Sequence, residues 1–231
     1  MKTDLSSSFL RLRENGIECQ VLDSKKYPEN LKKIDNPPFT LFIKGEIKPS
    51  DSWALAVVGS RRMTAYGQRM TQELVTRLVA AKMTIVSGLA RGIDTVAHQT
   101  ALKMGGRTIA VLPGGFDRIY PPENQELAEM IIKGHGALVS EYPPESVLRK
   151  SNFPARNRLV SGLSLGVLVI EGAEHSGSLI TARFAAEQGR EVFAVPGPID
   201  SVNSQAPLFL IKQGAKVVQG VEDIFEELNF F

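Results

Sequence analysis

From residue 50 onward, short apolar runs alternate with amphipathic stretches. The runs are Ala54–Val58, Thr84–Val86, Thr108–Leu112, Ala137–Val139, Val167–Ile170, Val192–Val195 and Lys216–Val218. Their centres lie roughly 24 to 30 residues apart, the length of a strand–helix–strand repeat. The runs are nearly continuous rather than alternating, which predicts strands covered on both faces of a sheet. Between the first two, Met70, Leu74, Val75, Leu78 and Val79 recur at helical spacing and predict a helix over 68–81. The same reading predicts helices near 93–104, 122–133, 155–164, 177–189, 205–213 and 221–228. The expected architecture is therefore α/β, a doubly wound and mostly parallel sheet.

Residues 1–50 break this rhythm. Asn36-Pro37-Pro38 and Pro49-Ser50 punctuate them, and only Phe39–Lys44 reads as a strand. The expected division is an extension over 1–50, too short for its own core and packed on the main domain, and the domain itself over 51–231.

Composition narrows the class. The chain has 231 residues with 43% hydrophobic and 23% charged, which suits a soluble globular protein with an ample core. No apolar run approaches the roughly 20 residues of a membrane-spanning helix. The opening MKTDLSSSFLRLRENG has no signal-peptide apolar stretch, so the cytoplasm is the expected location and no membrane partner is expected. A lone Cys19 excludes an internal disulfide and a cysteine zinc cage, and three scattered histidines make a metal site unexpected. Net charge is 27 − 25 = +2, but the last eleven residues carry Glu222, Asp223, Glu226 and Glu227 without a base, so residues 1–220 sum to +6. The same segment carries apolar Ile224, Phe225, Leu228, Phe230 and Phe231, which suit either a cap on the core or a surface for a second copy.

Ligands of open α/β sheets bind at the carboxyl ends of strands, and these loops are dense in small, hydroxyl and basic residues. After the first core strand comes Gly59-Ser60-Arg61-Arg62, where glycine permits close backbone approach and Arg61 offers a fork suited to phosphate. After the second comes Ser87-Gly88-Leu89-Ala90-Arg91-Gly92-Ile93-Asp94 at a helix start, a place where free amides hold anions. Pro113-Gly114-Gly115, Glu171–Ser178 and Pro196-Gly197-Pro198 follow later strands. Each loop alone fits ordinary turn geometry; together they point to a phosphate-bearing ligand. The phosphate-loop fingerprint G-x-x-x-x-G-K-[ST], the dinucleotide fingerprint G-x-G-x-x-G after the first strand, and the hydrolase elbow G-x-S-x-G are all missing.

A second basic element is Arg149-Lys150-Ser151-Asn152-Phe153-Pro154-Ala155-Arg156-Asn157-Arg158, with no acid. Bases around an aromatic suit a phosphate backbone with a stacked base. The alternatives are a solvated helix start with Pro154 in its first turn, and a buried Arg158 pairing Glu171 or Asp94. His98 reads as a helix-packing residue, whereas His175 beside Ser176 has the better claim to a site.

These stretches resemble the DNA-processing protein A (DprA, or Smf) family. The resemblance rests on V-V-G-S-R at 57–61, S-G-L-A-R-G-I-D-T-x-A-H at 87–98, and T-I-A-V-L-x-G-G-x-D-x-x-Y-P at 108–121. It continues through S-E-Y-P at 140–143, F-P-A-R-N-R-L-V-S-G-L-S at 153–164, E-G-A-x-x-S-G-S-L-I-T-A at 171–182 and F-A-V-P-G at 193–197. It spans roughly 18–228. It implies an extended Rossmann-like fold without catalysis or cofactor, and binding of single-stranded DNA taken up in natural transformation. It also implies protection of that DNA, loading of the RecA recombinase and a homodimer. Longer members carry a small helical domain before this core, of which residues 1–16 are at most a vestige, and a winged helix after it. The DNA-binding residues it implies are Gly59, Ser60 and Arg61; Ser87, Gly88, Arg91, Gly92 and Asp94; Asn124; Arg156, Asn157 and Arg158; and Ser176, Gly177 and Thr181. Several members place a DNA-contacting lysine just after Tyr-Pro, where this sequence has Pro122 and Glu123, leaving Arg118 or Lys133 to supply that charge.

Two rivals remain at this stage. One is a nucleoside-monophosphate phosphoribohydrolase, whose P-G-G-x-G-T-x-x-E loop is matched here only by Pro113-Gly114-Gly115. The other is a module that binds a mononucleotide without turnover.

Overall fold

A computed structural model describes residues 12–229; Phe230, Phe231 and most of the 1–16 stretch lie outside the described residues. The chain runs β1 (Ile17–Val21), α1 (Glu29–Lys32), β2 (Thr40–Gly45), β3 (Ala54–Val58), α2 (Ala65–Ala80), β4 (Thr84–Ser87), α3 (Ile93–Lys103) and β5 (Thr108–Val111). It continues through α4 (Gln125–Met130), β6 (Gly136–Ser140), α5 (Asn152–Gly162), β7 (Gly166–Val169), α6 (Gly177–Glu187), β8 (Glu191–Ala194), α7 (Gln205–Lys212), β9 (Lys216–Val217) and α8 (Val221–Glu227). One nine-stranded sheet holds them in the order β1-β2-β6-β5-β4-β3-β7-β8-β9. β3 to β9 are parallel, with β4 on one side of β3 and β7 on the other. Strand order thus reverses at β3, which opens a crevice above its carboxyl end.

The N-terminal stretch differs from expectation. It supplies two strands, not one, and both lie inside the main sheet. β1 pairs antiparallel with β2, and β2 pairs antiparallel with β6. Ile17-Glu18-Cys19-Gln20-Val21 gives little pattern because it is a short edge strand with only Ile17 and Gln20 buried. The expected helix over 122–133 is also broken. A short 3₁₀ turn over Pro122–Asn124 precedes α4, and the backbone leaves helical geometry at Lys133 and Gly134, where Gly134 takes φ +102°.

Side chains of β3 show why the strand reads as a continuous apolar run. Ala54, Ala56 and Val58 join one core layer with α5 and α6, whereas Leu55 and Val57 join the opposite layer with α2, α3 and α8. Alternate residues face opposite sides, and helices cover both. A third cluster, with Phe116, Ile119, Leu127 and Ile131, closes the β5–β6 end. In α8, Ile224 and Phe225 are buried in the second layer, so this helix caps the core with its apolar face.

His98 packs inside α3 as expected. It is fully buried, and its Nδ1 lies 2.6 Å from the Thr108 hydroxyl, which in turn donates to Ile85 O at 2.8 Å. Burial, aided by the Arg156 charge, lowers its pKa to about 3. The unfolded chain therefore binds a proton near pH 6.5 that the folded chain refuses, so stability falls as pH drops from 6.5 towards 3. Urea unfolding should show His98 alone removing about 2 kcal/mol between pH 7 and pH 5. A His98→Gln variant should lack that component of the pH slope, and an unchanged slope would refute the assignment.

Candidate nucleic-acid interface

The crevice above β3 is a cleft of about 790 Å³. Residues 59–62 follow β3, Gly88, Ala90 and Asp94 follow β4, 173–178 follow β7, and Asn203 and Gln205 come from beyond β8; α5 contributes Arg156 and Asn157. A narrower slot adjoins it, lined by Arg61, Ala90, Arg91, Tyr120, Pro121 and Phe153, and Arg61, Gly88, Ala90 and Arg156 line both.

Close packing fixes the loop after β3. A Cβ on Gly59 would meet Ile93 Cγ1 at 2.7 Å and Glu171 O at 2.9 Å. Gly92 holds φ +75°, and a Cβ there would meet Ser60 O at 2.2 Å. Only glycine fits this contact. Ile93 N–H donates to Ser60 O at 3.2 Å, which joins the β3 and β4 loops. Glu171, buried at the end of β7, accepts from Thr64 N at 2.9 Å and from the Thr64 hydroxyl at 2.5 Å. Thr64 in turn caps α2 by accepting from Gly67 N at 3.2 Å. Arg61 and Arg62 are therefore presented on a loop anchored at both ends. The Ser60 hydroxyl accepts from Arg62 N at 3.1 Å and faces Asn203 Oδ1 at 3.4 Å.

The Gly88 loop is organised from below. Asp94, buried, accepts from Gly88 N at 3.1 Å and Ala90 N at 3.3 Å. The amides expected to cradle phosphate are thus already engaged by this chain's own carboxylate. Arg156 lies beneath Gly88 with only 4% exposure. It donates to Gly88 O at 2.7 Å, to Val111 O, and from Nε to Asn157 Oδ1 at 3.2 Å. A Cβ on Gly88 would sit 2.7 Å from the guanidinium. Burial, with Arg61 nearby, lowers the Arg156 pKa to about 10, against the pull of Asp94. Burial pushes the Asp94 carboxyl up, and Arg156 and the two amides oppose that shift.

Outside this network the expected residues divide. Gly59, Ser60, Arg61, Asn157, Ser176, Gly177 and Thr181 line the cleft, and Arg91 lines the slot. Asn157 donates to Gly177 O at 3.3 Å, tying α5 to the start of α6, where Ser176 accepts from Ser178 N at 3.2 Å. Ser87 is fully buried and donates to Val57 O at 2.7 Å, so its hydroxyl faces the sheet and not a ligand. Asn124 is buried and donates to Leu89 O at 2.9 Å and Thr95 Oγ1 at 2.8 Å, a brace for the Gly88 loop. Arg158 donates to Glu141 Oε2 at 2.5 Å, with both side chains mostly buried, so its partner is neither Glu171 nor Asp94. Lys133 lies three residues before β6 and so belongs to the amino end of the parallel strands. A five-residue strand, about 16 Å long, separates that end from the cleft. The Pro113-Gly114-Gly115 loop is also closed. Amides of Gly115, Phe116 and Asp117 donate to Ser146 O and Pro144 O, and a Cβ on Gly115 would fall on Pro144.

In the sequence, Tyr120 shows only as part of a Tyr-Pro motif and Phe153 only as an aromatic among bases. Together they form the slot's wall. Their rings meet edge to face at 5.7 Å, Arg61 lies over Phe153 at 5.5 Å, and Arg91 lies over Tyr120 at 6.0 Å. Alternating guanidinium and ring is a surface for nucleobases and phosphates together. Asn203 and Gln205 carried no motif that could have found them. A second cleft of about 610 Å³ lies between β1, β2 and residues 25–30. Its buried polar groups are committed internally, Asn30 to Ser52 O at 2.8 Å and Asp51 to Arg107 at 2.7 Å.

A family of this description matches residues 18–229: DNA recombination-mediator protein A. The chain belongs to this family. It is 50% identical over 217 residues to DNA processing protein DprA of Bacillus subtilis, covering 94% of this chain and 73% of that protein. It spans between 44% and 72% of the length of the other curated relatives it matches. The X-ray structure of DNA processing protein A from Streptococcus pneumoniae superposes with TM-score 0.87 at 39% identity, over 95% of this chain and 77% of that one. The Helicobacter pylori DNA processing protein A, whose structure describes a single-stranded DNA binding mode, superposes with TM-score 0.81 at 29% identity. That alignment covers 92% of this chain and 95% of that one.

Truncating Arg156 would strip Gly88 O and Val111 O of their donor and leave Asp94 without its countercharge. Arg156→Ala should destabilise the fold by roughly 3–5 kcal/mol in urea unfolding. A loss below 1 kcal/mol would show that the guanidinium does not hold these loops.

Proposed function

We propose that this chain binds single-stranded DNA across the cleft and slot, shields it, and delivers it to the RecA recombinase in natural transformation and recombination. In this reading it acts in the cytoplasm as a homodimer, as a binding module and not an enzyme. The observation that carries the reading is Arg61 over the Phe153–Tyr120 ring pair, opening into a cleft of small and hydroxyl residues. Rings accept any base face, the Arg61 guanidinium neutralises the backbone, and the small residues let a phosphate approach the main chain. A duplex hides its base faces in the stack, so the rings favour a single strand. The single-stranded DNA binding mode of the Helicobacter pylori relative supports the same choice. The phosphoribohydrolase rival needs an open Pro-Gly-Gly loop, and here Pro144 and Ser146 cover it. Exposed Ile199 and Phe209, 90% and 53% accessible, offer apolar surface for a second copy.

A fluorescence titration of oligo-dT at several salt concentrations tests the central claim. Each phosphate neutralised on a single strand contributes about 0.7 to the slope of log K against log salt. Arg61→Ala should weaken binding and flatten that slope by about 0.7. Equal affinity for single- and double-stranded DNA, or an Arg61→Ala variant that binds like the unsubstituted protein, would refute the reading. Light scattering at two concentrations should give a dimer mass, and a concentration-independent monomer would refute that part.

A further inference from the structure

The slot carries three guanidiniums, and two of them are already occupied. Arg156 donates to Gly88 O, Val111 O and Asn157. Arg91 forms a two-point fork with Glu123, Nε to Oε1 and Nη2 to Oε2 at 3.1 Å. Among the described residues lining the slot, Arg61 alone holds a guanidinium with no carboxylate or carbonyl on it, only the face of Phe153. We propose that Glu123 is an intramolecular stand-in for a backbone phosphate, which holds Arg91 off the strand and sets the affinity of the slot for single-stranded DNA.

A carboxylate and a phosphodiester present the same pair of acceptor oxygens to a guanidinium fork. An incoming phosphate must therefore compete with Glu123 for Arg91. Glu123 has the advantage of tethering, because the loop that carries Tyr120 also carries Glu123 and keeps it at high effective concentration. Arg91 is held from a second direction by the Tyr120 ring at 6.0 Å. Both side chains of the pair are 51% exposed, so a strand passing through the slot would reach them. Arg91 is thus engaged within the chain, and the array offers one open cation where its sequence suggests two.

This inference rests on the proposed single-strand binding and makes a separate demand. In a salt titration with oligo-dT, Glu123→Gln should tighten binding about threefold and steepen the slope by about 0.7, the increment of one added phosphate contact. Arg91→Gln alone should leave the slope unchanged. In the Arg91→Gln background, Glu123→Gln should have no effect, which separates release of Arg91 from general repulsion between an acid and DNA. Equal tightening in both backgrounds would overturn the proposal. A flattened slope for Arg91→Gln alone, or unchanged affinity for Glu123→Gln in a protein that binds oligo-dT, would also overturn it. Failure of the unsubstituted protein to bind oligo-dT would instead overturn the proposed function, and this inference with it.

Discussion

Arg156 under the Gly88 loop is the contact from which the rest of the interface takes its shape. Its guanidinium bonds the carbonyl of Gly88, just past β4, and that of Val111, at the end of β5, and so fastens two neighbouring strand ends together. A buried cation is expensive, and its depressed pKa records that cost. The cost is tolerable because carbonyls, an amide oxygen and the more distant Asp94 share the charge. Asp94 in turn holds the amides of Gly88 and Ala90 from the helix side. The loop that lines both cleft and slot is therefore clamped between a cation below and an anion beside it. A hydrophobic pair of the same volume could fill this space with no such constraint on where the backbone runs.

The clamp also explains the glycines around it. Gly88 must lack a side chain because the guanidinium lies where a Cβ would go, and Gly92 because Ser60 O does. These close approaches couple the β3 and β4 loops, and Arg61, whose own backbone packs on Gly92, takes its position from them. Glu171 completes the frame from β7 by capping the start of α2 through Thr64. Three strands, β3 at the reversal point and β4 and β7 on either side of it, thus contribute to holding one short loop, and that loop carries Arg61 and Arg62.

Much of the fold was legible because the core strands are buried on both faces and read as apolar runs, and because α2 and α3 have clear helical spacing. β1 was not, since an edge strand with polar residues on its open side has no such signature. At the site, the loops were legible from their small residues, but the direction of each polar side chain was not. Ser87, Asp94, Asn124 and Arg156 all turn inward to satisfy backbone groups, because strand-end loops carry unpaired amides and carbonyls that need partners. Motif reading assigns such residues to the ligand when their nearest obligation is to the chain. Lys133 shows a different failure. It is close to the Tyr-Pro motif in sequence, but the segment around α4 runs back to the opposite end of the sheet before β6 begins.

The small net charge acquires a physical meaning from this arrangement. A sum of +2 argues against a basic surface, and the structure adds that three bases around the cleft are answered from within, Arg158 by Glu141, Arg91 by Glu123 and Arg156 by carbonyls, which leaves Arg61 and Arg62 on the loop after β3. Long-range attraction for a polyanion is correspondingly modest. What remains specific to the cleft is short-ranged: two rings at right angles, a guanidinium on the face of one, and small residues that admit a phosphate to the backbone. Such contacts are weakened less by salt than an uncompensated basic patch would be, and they demand an unstacked base. In the proposed function, selectivity for single strands rests on the geometry of the slot and the internal pairing of its charges, with Arg61 as the point in the slot where charge still acts.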